Sequence, residues 1–212
     1  MPKPTKETPY HHGDLRQSLI DAALELIAQE QDAKTLSLRK VARQVGVSHT
    51  APYRHFADKE ALLAAVAEEG FRLLFDALKQ DMEVAEDPVE QLQVSGVAYV
   101  QFALSHPSHY RVMFGAFQAN HPDYPALNEA GRKAFGVMVE AISTGQTLGK
   151  IKVNNPQELA WVAWSLVHGL AMLLIEQQLP LKDEKAIIAL TQLATASLTQ
   201  GLRSNIDSKS EE

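Results

Sequence analysis

Apolar residues recur every three to four positions along most of this chain. Leu15, Leu19, Ala22, Ala23, Leu26 and Ile27 form one stripe, which predicts a first helix over about 14–29. Val41, Ala42 and Val45 share a face in a short segment behind Ser37, a residue able to accept a backbone N–H at a helix start. Gly46 marks a turn, since glycine takes positive φ cheaply, and Val47 follows as an apolar plug. Ser48 can cap a second short helix over roughly 50–56. Pro52 lacks a backbone donor and is tolerable only within the first turn, so that helix must be short. Asp58 caps a long helix over about 58–82, with Leu62, Leu63, Val66, Phe71, Leu74, Phe75 and Leu78. Proline then recurs behind polar or turn residues, as a helix-start signal, at Pro88, Pro107, Pro122, Pro156 and Pro180. The blocks between, about 88–105, 107–117, 124–149, 156–178 and 183–203, are helix length. No stretch alternates with period two. The pattern predicts an all-α chain of about nine helices.

One block is not amphipathic. Residues 159–175 carry no charge, between Glu158 and Glu176. The run is shorter than the roughly 20 residues a membrane span needs, and Ser165, His168 and Gly169 interrupt it, so no membrane partner is expected. A helix apolar nearly all round is buried on several sides, here a core face and a partner-chain face. Ala160, Ala163, Gly169 and Ala171 allow close helix approach. The next helix, with Ile187, Leu190, Leu193, Ala194, Leu198 and Leu202, can pair with it. Two such helices from each of two chains predict a homodimer with a four-helix interface containing Ala163, Val167, Leu170, Leu174, Leu190, Leu193 and Leu198.

Composition sharpens this. The apolar fraction, 45%, suits a globular core, and the absence of cysteine removes disulfide and thiol chemistry and fits a cytoplasmic location. The first residues, Met1-Pro2-Lys3-Pro4-Thr5, do not read as a signal peptide. Net charge is −6, but residues 33–60 hold six Lys/Arg against two Asp/Glu, a local +4 on an acidic chain. That basic segment coincides with the two short helices, and the second is polar, aromatic and basic. The layout is a helix-turn-helix that offers its second helix to the DNA major groove. The start of the helix behind Asp58 offers free backbone N–H groups to a phosphate, with Lys59 adding charge. Lys3, Lys6, His11 and His12 read either as an arm on the DNA or as a disordered leader.

The chain resembles the tetracycline-repressor (TetR) family of bacterial transcription regulators over residues 10–80. The resemblance rests on the helix-turn-helix and on Tyr53-Arg54-His55-Phe56-Ala57-Asp58-Lys59-Glu60-Ala61-Leu62-Leu63. Trp164-Ser165-Leu166-Val167-His168-Gly169 is similar to the subgroup whose regulatory domain is named for a Trp-His-Gly motif. This implies an N-terminal three-helix DNA-binding domain over 1–60 and a helical ligand-binding and dimerisation domain over 61–205, with a disordered tail over 206–212. It implies a homodimer whose recognition helices enter successive major grooves of a palindromic double-stranded operator. By position, Arg39 matches a residue of the first short helix that reaches DNA. His49, Thr50 and Ala51 fall where base edges are read, with Ser48 beside them, and Tyr53, His55 and Lys59 match phosphate contacts. Pro52 stands where the family more often has Leu, which bears on the tilt of the recognition helix.

A regulator needs an input. Met and aromatic residues in the central helices suit a roomy apolar site as well as a plain core. A pocket for a small, mainly apolar effector is expected near Phe75, Tyr99, Phe102, Tyr110, Met113, Phe117, Trp164 and His168. His168 reads first as a hydrogen-bonded core histidine and only second as a ligand contact. His106 and His109 are spaced for a metal, but Pro107 separates them and no Cys or neighbouring carboxylate completes a shell. No nucleophile turn or phosphate-cradling glycine loop occurs, so neither an enzyme nor a cofactor is expected. The expected function is a DNA-binding regulator, most simply a repressor released by its ligand. The alternatives are a helical dimer that binds a small molecule or protein without DNA, and a metal-sensing regulator.

Overall fold

The computed structural model describes residues 15–115 and 121–203. Within them the chain is all-α, with eight α-helices and two short 3-10 turns. It divides into two compact units, Met1–Ala65 and Val66–Glu212.

In the first unit α1 (Leu15–Glu30) packs on α2 (Leu38–Val45). Their inner faces are the predicted ones, with Leu19, Ile20, Ala23 and Ile27 against Leu38, Val41 and Ala42, all buried. Ser37 caps α2, its hydroxyl accepting from the Lys40 N–H at 3.3 Å. Gly46 ends the helix at φ +80, and the Val47 N–H returns to the Ala42 carbonyl at 3.0 Å. Asp58 accepts from the Ala61 N–H at 2.8 Å at the start of α3 (Lys59–Met82). Phe56 is buried, and the Arg16 guanidinium lies 5.5 Å over its ring.

The segment between α2 and α3 corrects the expected count. The second short helix is a four-residue 3-10 turn, Ala51–Arg54, so the described residues hold eight α-helices and not nine. Pro52 explains this. Without an N–H it cannot bond back to Ser48, whose carbonyl accepts instead from Ala51 at 3.0 Å. The Pro52 carbonyl then takes both His55 and Phe56 N–H groups, and its ring is buried.

The second unit contains the rest of α3 with α4 (Pro88–Ser105), α5 (Pro107–Gly115), α6 (Pro125–Thr147), α7 (Pro156–Ile175) and α8 (Glu184–Leu202). Helix α4 packs against α6, α7 and α8. Pro88, Pro107, Pro125 and Pro156 each open a helix, as proline's missing donor allows. Asp87 caps α4, accepting from Val89 at 2.7 Å and from the Lys150 ammonium at 2.5 Å, and that ammonium holds its carboxyl below the usual range. Val89, Leu92, Met138, Ile142, Ile151, Ala160 and Ala163 form one core cluster. Gly96 lets α4 approach closely: a Cβ there would stand 2.5 Å from Thr195 Cγ2 and 3.2 Å from Val167 Cγ1.

The two C-terminal helices form where expected, but their faces are turned. Ala163, Val167, Leu170 and Leu174, expected between chains, are buried inside the protomer. The outward stripe of α7 is Val162, Leu166 and Leu173, and Gly169 falls in the same i, i+4, i+7, i+11 register between Leu166 and Leu173. A helix apolar nearly all round gives no sign of which side faces inward. On α8 the inward face is Thr191, Thr195 and Thr199, whose hydroxyls donate to carbonyls four residues back at 2.8–3.0 Å and so bury without loss. Leu193 is 64% exposed, Leu190 is half-buried, and Leu198 packs against the core cluster. Helix α7 is long and apolar enough by length and composition to cross a membrane. Its buried residues line the core of this unit.

Candidate functional site

Two sites arise, one within each unit. The first is the surface of the helix-turn-helix. Arg39 on α2 and Ser48, His49, Thr50, Tyr53 and His55 around the 3-10 turn are exposed, Tyr53 at 54%. Ala51 is half-buried against the turn. The Ser48 and Thr50 hydroxyls lie 3.1 Å apart. Lys59 is half-buried, and its ammonium donates to the Lys34 carbonyl at 3.0 Å, a link that joins the start of α3 to the 3-10 turn before α2. Arg43 and Arg54 are exposed on the same stretch and were not singled out from the sequence. The local charge excess was the signal that counted them. Lys3, Lys6, His11 and His12 lie outside the described residues.

The second site is a cavity of about 570 Å³ within the second unit, in the size range of small-molecule pockets. Phe71, Leu74 and Leu78 line it from α3, Met113 and Phe114 from α5, and Phe135 and Met138 from α6. Trp161, Trp164 and His168 come from α7, and Tyr99 from α4. Of the residues expected from sequence, Tyr99, Met113, Trp164 and His168 line this cavity. Tyr110 stands behind the wall, fully buried. Phe102 is buried and stacks on His106 at 4.8 Å. Phe75 faces a smaller, charged hollow of about 360 Å³ with Arg72, Asp76, Glu129 and Lys133. Phe117 lies outside the described residues. The periodicity of α3 and α6 marked their lining residues only as core, and nothing in it separates a wall of packed helices from a wall of a cavity.

Polar groups meet at the His168 end. Tyr110 Oη is 2.6 Å and Tyr99 Oη 3.0 Å from His168 Nδ1, and the two phenol oxygens are 3.0 Å apart. The Trp164 indole donates to Tyr99 Oη at 3.0 Å. Burial pushes the Tyr99 phenol up to about 12 and raises that of Tyr110 further, so both keep their protons. Burial lowers the His168 imidazole, which keeps it neutral at physiological pH. His106 and His109 have separate partners: His106 Nδ1 lies 3.3 Å from the Phe102 carbonyl, and His109 Nε2 3.2 Å from Glu69.

A helix-turn-helix unit and, on the same chain, a helical unit with an apolar cavity define a ligand-responsive DNA-binding regulator. The pattern "Bacterial regulatory proteins, tetR family" matches residues 19–66, and "Tetracyclin repressor-like, C-terminal domain" matches residues 92–197, which include Trp164, His168 and Gly169. A protein of unknown function from Rhodococcus sp. RHA1 is 32% identical, with a TM-score of 0.80 over 93% of this chain and 100% of its own. The chain belongs to the TetR family of transcriptional regulators, proteins that bind DNA and respond to ligands. The same fold occurs in a tetR-family regulatory protein from Rhodococcus RHA1, with 21% identity and a TM-score of 0.70 over 86% and 96% of the two chains. It also occurs in the transcriptional regulator FadR from Bacillus subtilis, solved in complex with stearoyl-CoA. There the identity is 19% and the TM-score 0.73 over 88% and 99%.

Proposed function

We propose that this regulator is a repressor that binds a palindromic operator as a homodimer and is released when a small, mainly apolar molecule occupies the cavity of the second unit. The observation that carries the reading is the 570 Å³ aromatic-lined cavity on a chain that also exposes a basic helix-turn-helix. Arg39, Ser48, His49, Thr50 and Ala51 would meet bases or groove edges, with Tyr53, His55 and Lys59 on phosphates. Arg43 and Arg54 join them. The fold of FadR, which holds stearoyl-CoA, supports the capacity of this helical framework for long apolar ligands. The exposed stripe of α7 with Leu193 of α8 supports a second copy as the partner, and the reading takes the protein as cytoplasmic, with α7 in the dimer and not in a membrane. Catalysis has no part in this reading.

In the proposed cycle the dimer holds its two recognition segments about 34–36 Å apart, one DNA turn, and ligand favours a state with another spacing. For release to matter, the two states must differ in ligand affinity by about 30-fold, about 2 kcal/mol. The test begins with genomic footprinting of the purified full chain to find its operator. Operator binding is then titrated at fixed salt with fatty acids, acyl-CoA thioesters and aryl ketones. A specific palindromic footprint and release by at least one of these support the reading. Absence of any sequence-specific complex overturns it in favour of a helical dimer without DNA. Equal operator affinity at saturating occupancy of the cavity overturns the release step.

A further inference from the structure

The four polar groups beside the cavity form one hydrogen-bonded chain, and counting protons fixes its direction. The Trp164 indole can only donate, so Tyr99 Oη accepts from it at 3.0 Å. Each phenol brings one more proton, and burial keeps both in place. The two phenol oxygens lie within reach of each other and of His168 Nδ1. If Tyr99 donates to Tyr110, then Tyr110 donates to Nδ1 at 2.6 Å. If Tyr110 donates to Tyr99, then Tyr99 donates to Nδ1 at 3.0 Å. In both arrangements Nδ1 accepts. Were Nδ1 itself protonated, one phenol proton would be left with no acceptor among these groups, and a hydrogen bond would be lost.

A neutral imidazole that accepts at Nδ1 carries its proton on Nε2. Among the described residues Nε2 has no hydrogen-bond partner, yet no buried side-chain nitrogen or oxygen is left unpartnered. His168 lines the cavity, so this N–H opens onto its space. The charged residue among the described lining is Arg132, which is 68% exposed and paired with Glu129. No described carboxylate lines the cavity to receive a cation, and the imidazole has no charge to offer an anion.

We propose that His168 presents a fixed Nε2–H donor to the cavity, and that the effector is a neutral, mainly apolar molecule bearing a hydrogen-bond acceptor such as a ketone or ester carbonyl. This deepens the ligand-cavity reading above and rests on it. An alkylammonium would lose its hydration with no carboxylate among the described lining to balance its charge. A plain hydrocarbon would leave the donor unpaired.

The test compares butyrophenone, butylbenzene and phenylbutylamine by calorimetric titration of the full-length protein and of His168→Phe. Expected is a loss of affinity for butyrophenone on substitution that exceeds the loss for butylbenzene about fivefold, about 1 kcal/mol. His168→Gln, which keeps an N–H near the Nε2 position, should recover most of it. Phenylbutylamine should bind wild type most weakly of the three. Equal losses for ketone and hydrocarbon, or preference for the amine, would overturn this inference and leave the cavity reading standing. Failure of butyrophenone and butylbenzene alike to bind would overturn the cavity reading itself, and this inference with it. Imidazole nitrogen NMR of labelled wild-type protein keeps the question decidable if the variants do not fold. The Nε2–H tautomer at neutral pH is expected, and an Nδ1–H tautomer or an imidazolium would refute it.

Discussion

Two glycines in the second unit separate a lone protomer from a pair. Gly136 on α6 and Gly169 on α7 are both helical and half-buried, and a Cβ on either would meet nothing within 4 Å. Helix propensity alone therefore makes Gly136→Ala and Gly169→Ala equivalent, each stabilising by about 0.8–1 kcal/mol. For a chain of this size that raises the melting temperature by about 2–4 °C. The surroundings differ. Gly169 lies on the outward face of α7 amid Val162 (52% exposed), Leu166 (36%) and Leu173 (45%). If a second copy packs there, each added methyl enters a helix crossing, and overpacking costs about 1–3 kcal/mol. Two-fold symmetry doubles the insult, so dimer affinity should fall at least about 30-fold, about 2 kcal/mol. The assay pairs thermal unfolding at several protein concentrations with sedimentation equilibrium. Gly136→Ala should raise the melting temperature at every concentration. Gly169→Ala should lose that gain and show a dimer that dissociates on dilution. If both variants are stabilised alike and the self-association constant does not move, α7 is not the dimer face.

Lys59→Ala should flatten the dependence of log operator affinity on log salt by about 1.8 units, about 0.9 for each of the dimer's two phosphate contacts, measured by anisotropy at several salt concentrations. An unchanged slope would mean that its bond to Lys34 is its whole role. Asp87→Ala removes the α4 cap and the Lys150 pair and should cost about 1 kcal/mol in denaturant unfolding at pH 7. Because the folded carboxyl of Asp87 titrates below its unfolded value, the unfolded chain takes up the proton first as pH falls below about 4. The gap between wild type and variant should close there, and a gap that persists in acid would refute the pairing. Gly145→Ala places a methyl 2.6 Å from Ile151 Cδ1 and 2.8 Å from Cγ1, so overpacking outweighs helix propensity and a net loss of about 1 kcal/mol is expected from the same unfolding curves. His168 has a lowered folded pKa, so unfolding is promoted as pH drops through about 6.5, where the unfolded imidazole takes its proton first. His168→Phe should flatten the stability profile in that window, and an unaltered profile would show that His168 protonates in place.

The legible parts of this chain were those where one residue type has one physical use. Ser37, Gly46, Asp58 and Asp87 all cap or terminate helices as their chemistry requires, and Pro88, Pro107 and Pro156 open helices where they stand, whereas Pro122 and Pro180 lie ahead of helices that start at Pro125 and Glu184. Pro52 does more than shorten the recognition segment. With the Ser48 carbonyl taken by Ala51, the segment stays a 3-10 turn and closes with one α-type bond, from Phe56 to Pro52. Faces were harder. On α7 an apolar residue occupies nearly every position, so its inward face is set by the helices it meets, α4, α6 and α8, with Gly96 leaving room for Val167. On α8 the leucines are expected between chains, and Leu193 is exposed and Leu190 half-buried, while the inward face is taken by threonines that satisfy their own hydroxyls. The cavity was anticipated from Tyr99, Met113, Trp164 and His168, but its α3 and α6 walls carry the same periodic signal as solid core.

Trp161 and Trp164 are the two tryptophans of the entire sequence, and both border the cavity. Trp161 is 53% exposed, whereas Trp164 touches Phe114 and His168 and donates to Tyr99. The molecule's whole indole emission therefore originates at the place where an effector would sit. A change in its colour or intensity on adding a compound reports occupancy directly, without a label and without knowing the operator. That makes the unmodified protein its own screening instrument.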